Sequence, residues 1–540
     1  MPKLDFKSIN EKSCQSNLFI KLKLKLYYSR FFQSLLLSLP LIFVHLGWAT
    51  PSVPYMPSWE VRHALAVLSD EANLPITTSH WPLPMYAVQD ALDKLPKQLP
   101  DHLEDLRDMV VLDLKRFRSN SRIDLQLRTK ADGPVAFGEN YTPGNSFKAS
   151  TPVLGGDSYE VVSKLGFKIE QNPNSLKTDF AGFGSGSDSS PQIRPDDSAL
   201  VIENWGMNFQ VFAHQIWWGP SWQSTLTNSN NSPPWTGIGI QRSQVTPSTS
   251  PWLSWLGPWN AEWFVARAQD PTVVSGQLNN FYYTGMRFTA KPFRWLEIAA
   301  SKGMQSGGAG TNYGLNSYLK NVLGQGNHPT NPNADGSAFL AEDSANSIAG
   351  FDARISCPYK MGCNLYFESQ GEDGSGGNKL PWPNRFLSLS GLESWSKNGR
   401  HRYFVEFMQS YCNSWPGDNK AAGCAYTNWA YPQGETNGSR WLGSSFGADA
   451  RVLTLGWLDA KERRSIKVFN GQTSTSVGAY NPSLVAPHGG LIGFTANQKI
   501  DLKDFTLSPE ITFIKFDQGS SQGNQRLNNL RLGIGLQKYF

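Results

Sequence analysis

From residue 121 to the C-terminus, apolar and polar positions alternate with a period of two. RIDLQLR sets Ile123, Leu125 and Leu127 against Arg122, Asp124, Gln126 and Arg128. NWGMNFQVF sets Trp205, Met207, Phe209 and Val211 against polar or small residues, and IAGFDARIS opposes Ala349, Phe351, Ala353 and Ile355 to Gly350, Asp352, Arg354 and Ser356. The last segment, LRLGIGLQKYF, is the cleanest: Leu530, Leu532, Ile534, Leu536 and Phe540 share one face, interrupted by Lys538. Such runs predict β-strands with one apolar face, and stretches such as GQGNHPTNPNADGS and GEDGSGGNKLPWPN predict turns and long loops between them. Residues 57–118 follow a helical period instead. Ser58 can cap a helix in which Val61, Leu65 and Leu68 share a face, and Pro84 can open a second. After Pro100 and Asp101, Leu103, Leu106, Val110, Leu114 and Phe117 form a stripe closed by Lys115, Arg116 and Arg118, which predicts a small three-helix bundle at 50–119.

Alternation alone also suits a β-sandwich. Three features favour a barrel in lipid. The polar face is persistently charged or glycyl, as a wet lumen requires. Aromatics gather at strand ends in WWGP, FYYT, FRWLE and KYF, where interfacial girdles sit. The chain ends in Phe540 on the apolar face of a final strand, the terminal signal of Gram-negative outer-membrane barrels. Only helices or closed barrels satisfy every backbone group in lipid. The reading is an all-β transmembrane barrel of antiparallel strands over 120–540 with long extracellular loops. About 420 residues at roughly ten per strand give about 16–20 strands.

Composition sharpens this picture. Aromatic residues make up 12% of the 540, including 19 Trp, while charged residues are only 17%, below the roughly 25% of ordinary soluble domains. Residues 1–49 carry Lys3, Lys7, Lys12, Lys21, Lys23, Lys25 and Arg30 against Asp5 and Glu11, which accounts for the whole formal charge of +5. The neutral remainder offers no field for nucleic acid. The basic stretch KLKLKLYYSR precedes the apolar run Phe31–Ala49, and Gly47 and Ala49 supply the small residues of a cleavage site, so 1–49 reads as an export signal. Cys357, Cys363, Cys412 and Cys424 follow it; the local pairs Cys357–Cys363 and Cys412–Cys424 need only short loops. Zinc would need CxxC or a nearby His, and neither is present, so no metal or other cofactor is expected.

The densest aromatic block, 214–263, holds Trp217, Trp218, Trp222, Trp235, Trp252, Trp255, Trp259 and Trp263. WWGP, followed by a Ser/Thr/Leu stretch, an Asn-rich turn with proline and then LGPWNAEWF, with FGENYTPGNSF upstream, resembles the signature block of the Wzi-type capsule assembly proteins. The resemblance spans most of the chain and is densest over 138–290. It implies an 18-stranded outer-membrane barrel, occluded by a periplasmic helical bundle at its mouth, that acts as a non-enzymatic lectin retaining capsular polysaccharide.

The residues themselves allow a lectin. Sugar rings rest C–H faces on aromatics and bond their hydroxyls to Asn, Asp and Arg. Loops 223–236, 327–337, 371–385 and 413–436 carry Trp222 at their edge, Trp235, Trp382, Trp415 and Trp429, with Asn231 and Asp335, as candidate polysaccharide contacts. WWGP itself reads as an interfacial strand end. Expected partners are capsular or other extracellular polysaccharide, outer-membrane lipid and lipopolysaccharide, with a monomeric barrel. The rival readings are a diffusion porin or saccharide-selective channel and, after it, an outer-membrane hydrolase. Hydrolysis would need two carboxyls at a fixed separation or a Ser–His pairing. Glu203, Glu262, Glu297, Asp352, Glu368 and Glu406 are scattered, as are His214, His401 and His488, and no GxSxG occurs. Lumen acids, with Arg287, Arg354 and Arg451, read as a solvated charge lattice.

Overall fold

The computed structural model describes residues 51–129, 133–142, 144–155, 161–171, 191–269, 281–308, 313–323, 345–358, 361–372, 385–414, 420–421, 424–426, 428, 431, 434–438, 440–473, 489–518 and 526–540. Among them eighteen strands run in chain order. β1 (Arg122–Arg128), β2 (Ser146–Ser150, resumed at Leu154–Gly155), β3 (Val161–Lys164 and Gly166–Gln171) and β4 (Pro191–Arg194 and Ser198–Asn204) are followed by β5 (Met207–His214) and β6 (Trp235–Arg242). Next come β7 (Trp259–Arg267), β8 (Tyr282–Phe293), β9 (Leu296–Ser306), β10 (Ala345–Ser356), β11 (Cys363–Gly371) and β12 (Arg385–Trp395). β13 (His401–Ser414), β14 (Arg451–Asp459), β15 (Arg464–Thr473), β16 (Gly489–Gln498), β17 (Thr506–Gln518) and β18 (Arg526–Tyr539) complete the set.

Each strand pairs antiparallel with its successor. β18 then returns to β1, Gly533 against Arg128 through Tyr539 against Arg122, so the sheet closes on itself. Closure leaves no unpaired edge, which is what lets strands cross lipid. The side-chain distribution is inverted relative to a soluble protein. Leu455, Val468, Leu530 and Leu532 are exposed on the outer wall, while Asp352, Arg354, Glu393 and Arg402 on the alternate positions are buried inside. The alternation read in β18 holds residue by residue, and in β10 it holds in register although Ala353 is only 7% exposed; Lys538 sits outward with its ammonium 4.9 Å from the Phe540 ring centroid.

Connections at one end are short: Trp205–Gly206 joins β4 to β5 with both residues at positive φ, the twist a two-residue hairpin turn requires. Chain connections at the other end are long. Helices α1 (Trp59–Glu71), α2 (Met85–Asp93) and α3 (Asp101–Ser119) sit at the turn end. Leu103, Leu106, Val110 and Leu114 bury the predicted stripe of α3. Two details differ from the sequence reading. Pro84 precedes α2 rather than opening it, because it pairs with Pro54 in a two-residue ladder. Ser58 is the N-cap of α1 but makes no side-chain cap bond. α1 is buried nearly all round, Arg62 and His63 included, because it enters the barrel mouth. A further helix, α4 (Leu315–Val322), lies in the β9–β10 connection.

Candidate functional site in the filled lumen

The connection between β5 and β6, residues 215–234, turns inward. Its WW pair forms a ladder with His80 and Trp81, which lie between α1 and α2. Trp217 and Trp218 are therefore fully buried inside the barrel, not at an interfacial strand end. The same holds for Phe281 and Tyr283 of FYYT, whereas Tyr282, Phe293 and Trp295 do face outward. The aromatic patch WWGP misled because its neighbours are polar enough to satisfy a buried backbone.

Wall carboxylates provide that satisfaction. Glu406 accepts the backbone N–H of Trp222 and of Gln223 (3.0 Å) and the Tyr366 hydroxyl (2.8 Å). Glu393 accepts the Trp222 indole N–H at 2.6 Å and pairs with Arg354 (2.9 Å) and Arg402. Glu368 accepts the N–H of Leu226 at 2.9 Å. From the helical side, Arg62 donates to the carbonyls of Ser221 (2.7 Å) and Pro220 (3.0 Å). Its guanidinium lies 4.3 Å from the Phe137 ring centroid and 4.4 Å from that of Trp222. Unpaired, each of these buried donors would cost about 1–3 kcal/mol.

A second inward segment, within 424–450, interlocks with the first. The N–H of Ser229 donates to Leu442 O at 2.7 Å, Asn231 Nδ2 to Trp441 O at 3.1 Å, and the Tyr426 hydroxyl to Leu226 O at 2.9 Å. Trp235 stacks on Tyr283 with centroids 4.7 Å apart and donates to Asn228 Oδ1. The bundle is fastened to the wall by further ion pairs. Arg354 clamps Asp70 at 2.6 and 3.0 Å, and Glu297 accepts the backbone N–H groups of Thr78 and Ser79.

Electrostatics follow from this burial. Burial would raise the Asp70 carboxyl, but Arg354 and Lys291 hold it below the usual range. Burial, with Arg402 adding to it, pushes His63 down to about 3. The neutral ring fits its contacts: Nδ1 accepts from Arg402 Nε at 2.9 Å, which leaves Nε2–H to donate to Gly399 O at 2.6 Å. Burial pushes Glu435 up to about 8.

Three of the sequence candidates lie in this plug. Trp222, Trp235 and Asn231 are 4%, 2% and 0% exposed. They stand inside the plug, with their faces and polar atoms taken up by protein, so the 223–236 stretch is not an exposed glycan loop. Trp382, Trp415, Trp429 and Asp335 lie outside the described residues, as do residues 1–49 and His488. The disulfides form as the local pairing expects, Cys357–Cys363 closing the β10–β11 turn and Cys412–Cys424 tying the second inward segment to β13.

Of the scattered acids, Glu262, Glu297, Asp352, Glu368 and Glu406 face the lumen, and each bonds a plug residue or a wall arginine. Arg287 and Asp352 form a bidentate pair at 2.7 and 3.0 Å. The lattice therefore also has a structural role, since its acids hold plug residues and wall arginines. Glu203 instead accepts the N–H of Gly206 at the turn end. The rings of His214 and His401 bond no serine among the described residues. Among the described residues no group of three His, Cys, Asp or Glu side chains is placed to hold a metal. A cavity of about 350 Å³ remains beside the plug, against β1–β4 and β16–β18. Several of its charges are paired, Lys148 with Asp197 at 2.6 Å and Arg128 with Glu510 among them. Sequence reading missed Arg62 and His63 as plug residues and Glu406 as the wall acceptor of the plug; their partners lie far away along the chain.

The model of the family "Capsule assembly protein Wzi" matches residues 117–503. A relative from Klebsiella pneumoniae, described as an uncharacterized 55.8 kDa protein in the cps region, is 27% identical over 350 residues. That match covers 64% of this chain and spans 63% of the relative's length. Among solved structures, Wzi of Escherichia coli, described as an outer-membrane protein involved in group 1 capsule assembly and a carbohydrate-binding β-barrel, is similar with a TM-score of 0.70. It is 19% identical, and the superposition covers 91% of this chain and 99% of that one, a likeness of fold.

Proposed function

Because the chain belongs to the Wzi family of capsule assembly proteins, we propose that it is an outer-membrane barrel that holds capsular or extracellular polysaccharide at the cell surface. The observation that carries the reading is the filled lumen within a family of that kind. The 215–234 connection meets α1 at Arg62 and interlocks with the segment within 424–450, which suits a holding scaffold and not a conduit. Polysaccharide contact is then left to the remaining sequence candidates, Trp382, Trp415, Trp429 and Asp335. Each contact would be weak, and a polymer that engages several at once, or several barrels at once, is retained by avidity. Disulfides at both ends of the barrel fit an oxidising compartment. Residues 1–49 direct export and are then removed. The barrel works as a monomer in contact with lipid and lipopolysaccharide.

The test is binding of purified, detergent-solubilised protein to a saccharide array, paired with surface retention of polysaccharide in a strain lacking the gene. Retained polymer should fall in the deletion strain and return on complementation. A strain that makes polymer and keeps all of it without the protein overturns the proposal. Planar-bilayer recording separates the channel reading, since sustained large conductance from the intact protein would favour a porin. The hydrolase reading predicts glycan or lipid turnover that vanishes on substitution of a lumen carboxylate.

A further inference from the structure

The connection from β6 to β7, residues 243–258, departs from its turn-end neighbours. Trp205–Gly206 and Arg294–Trp295 need two residues to join their strands, yet this one runs SQVTPSTSPWLSWLGP without a single charge. It folds back onto the outer wall. Ala290 of β8 faces outward, in register with Trp259 and Ile298. It is 0% exposed, while its outward neighbours Phe288 and Ile298 are 38% and 40% exposed. Leu256 and Trp259 cover it, with Leu253 packed alongside, in a cluster separate from the core. The tip carries Trp252 and Trp255, which are 85% and 66% exposed.

The element is rigid. Arg242 donates to the carbonyls of Gln244 (2.6 Å), Thr246 (3.0 Å) and Trp259 (2.7 Å), which pins both ends. A 3₁₀ turn at Ser254–Leu256 consumes local backbone groups, and the Trp255 indole N–H donates to Trp252 O at 2.9 Å. Gly257 has φ +63°, and a Cβ there would stand 2.1 Å from Lys291 O, so the loop is pressed against the strand. Beside it, at the same end, Phe293 and Trp295 stack with centroids 5.4 Å apart and are exposed.

Two indoles held out into water by a rigid, charge-free loop would be an unfavourable surface. Indoles are at home where lipid headgroups meet acyl chains. We propose that residues 250–258 form an interfacial foot: a tryptophan-tipped loop clamped outside the barrel wall that lies in the phospholipid headgroup layer at the turn end. The occupant is lipid because the loop continues the lipid-facing surface of β7 and β8 and the belt of Phe293 and Trp295. The foot fixes the depth and tilt at which the barrel sits. It rests on the transmembrane barrel and not on the polysaccharide reading.

The test places a nitroxide label on the full chain in phosphatidylethanolamine–phosphatidylglycerol bilayers, with Cys14→Ser to leave one free thiol. Labels at Trp252→Cys and, with both indoles kept, at Ser254→Cys are compared by power saturation with two references. Leu455→Cys reports the lipid-facing wall and Lys397→Cys reports the water-exposed β12–β13 turn. Both foot labels should collide with oxygen more than the Lys397 label does, and with a water-soluble nickel chelate severalfold less. Nickel collisions equal to those at Lys397 overturn the foot. So does shielding from both reagents, which would mean that a protein covers the loop. A Leu455 label without oxygen collisions would instead strike at the barrel itself.

Discussion

Two tryptophan-rich connections flank β6, and they go opposite ways. Residues 215–234 dive into the lumen, while residues 243–258 lie on the outside wall. Tryptophan content does not separate them. Polar supply does. The inward segment brings Gln223, Asn228, Ser229 and Asn231, and its backbone N–H groups at Trp222, Gln223 and Leu226 end on carboxylates of the wall. The outward segment closes its bonds locally, Leu253 and Ser254 N–H on Ser250 O and Leu256 N–H on Leu253 O. A peptide buried without partners is costly, so a chain enters a lumen only where the wall offers acceptors.

The strongest way to break this comparison is Trp222→Ala. The indole fills the junction of plug and bundle, bonds Glu393, and packs under both Arg62 and Arg402, whose guanidinium lies 4.7 Å from its centroid. Its removal should destabilise the plug by about 3–5 kcal/mol. That would appear as faster hydrogen exchange at residues 219–228 and as new conductance in planar bilayers. Unchanged exchange would mean that the carboxylate bonds alone hold the segment.

Next in size is the Cys412–Cys424 bridge, which closes a separation of 12 residues. Its reduction or Cys424→Ser should cost about 3 kcal/mol in the second inward segment, read by proteolysis within 424–450. The outward connection, which has no bridge, should be cut no faster.

Acid should then loosen the bundle. His63 is held at about 3, below its ordinary value of 6.5, by burial and by Arg402. The folded state therefore keeps the ring neutral where the opened state takes up a proton. The stabilisation is complete above about pH 6.5 and is lost as pH falls towards 3, at about 1.4 kcal/mol per pH unit, or about 2 kcal/mol at pH 5. Amide exchange in α1, corrected for its intrinsic pH dependence, reads this slope; His63→Gln should flatten it.

The barrel was legible because lipid and lumen impose a strict period of two. β10 and β18 each show it over enough residues to name the outward set correctly. The three helices were legible for the same kind of reason, the stripe of α3 above all. The plug was not. Trp222 and Asn231 satisfy a surface lectin loop and a buried plug equally well by composition. What distinguishes the two is Glu406, 184 residues from Trp222, and Arg62, 159 residues from Ser221. No local pattern marks such pairs. The charge-free run around Trp252 was visible, but whether it faced water, lumen or lipid depended on Ala290 beneath it.

The smallest effect should be Trp252→Ala, and its smallness is the point. The side chain is 85% exposed. Protein stability in detergent micelles should therefore change by less than about 0.5 kcal/mol, as for a surface substitution that creates no cavity. The identical change at Trp222 should cost several times more. A loss at Trp252 approaching that at Trp222, seen by thermal unfolding of the purified protein, would mean that the tip packs on something in the protein itself. The division between a plug whose tryptophan needs the wall and a loop whose tip tryptophan does not would then fail.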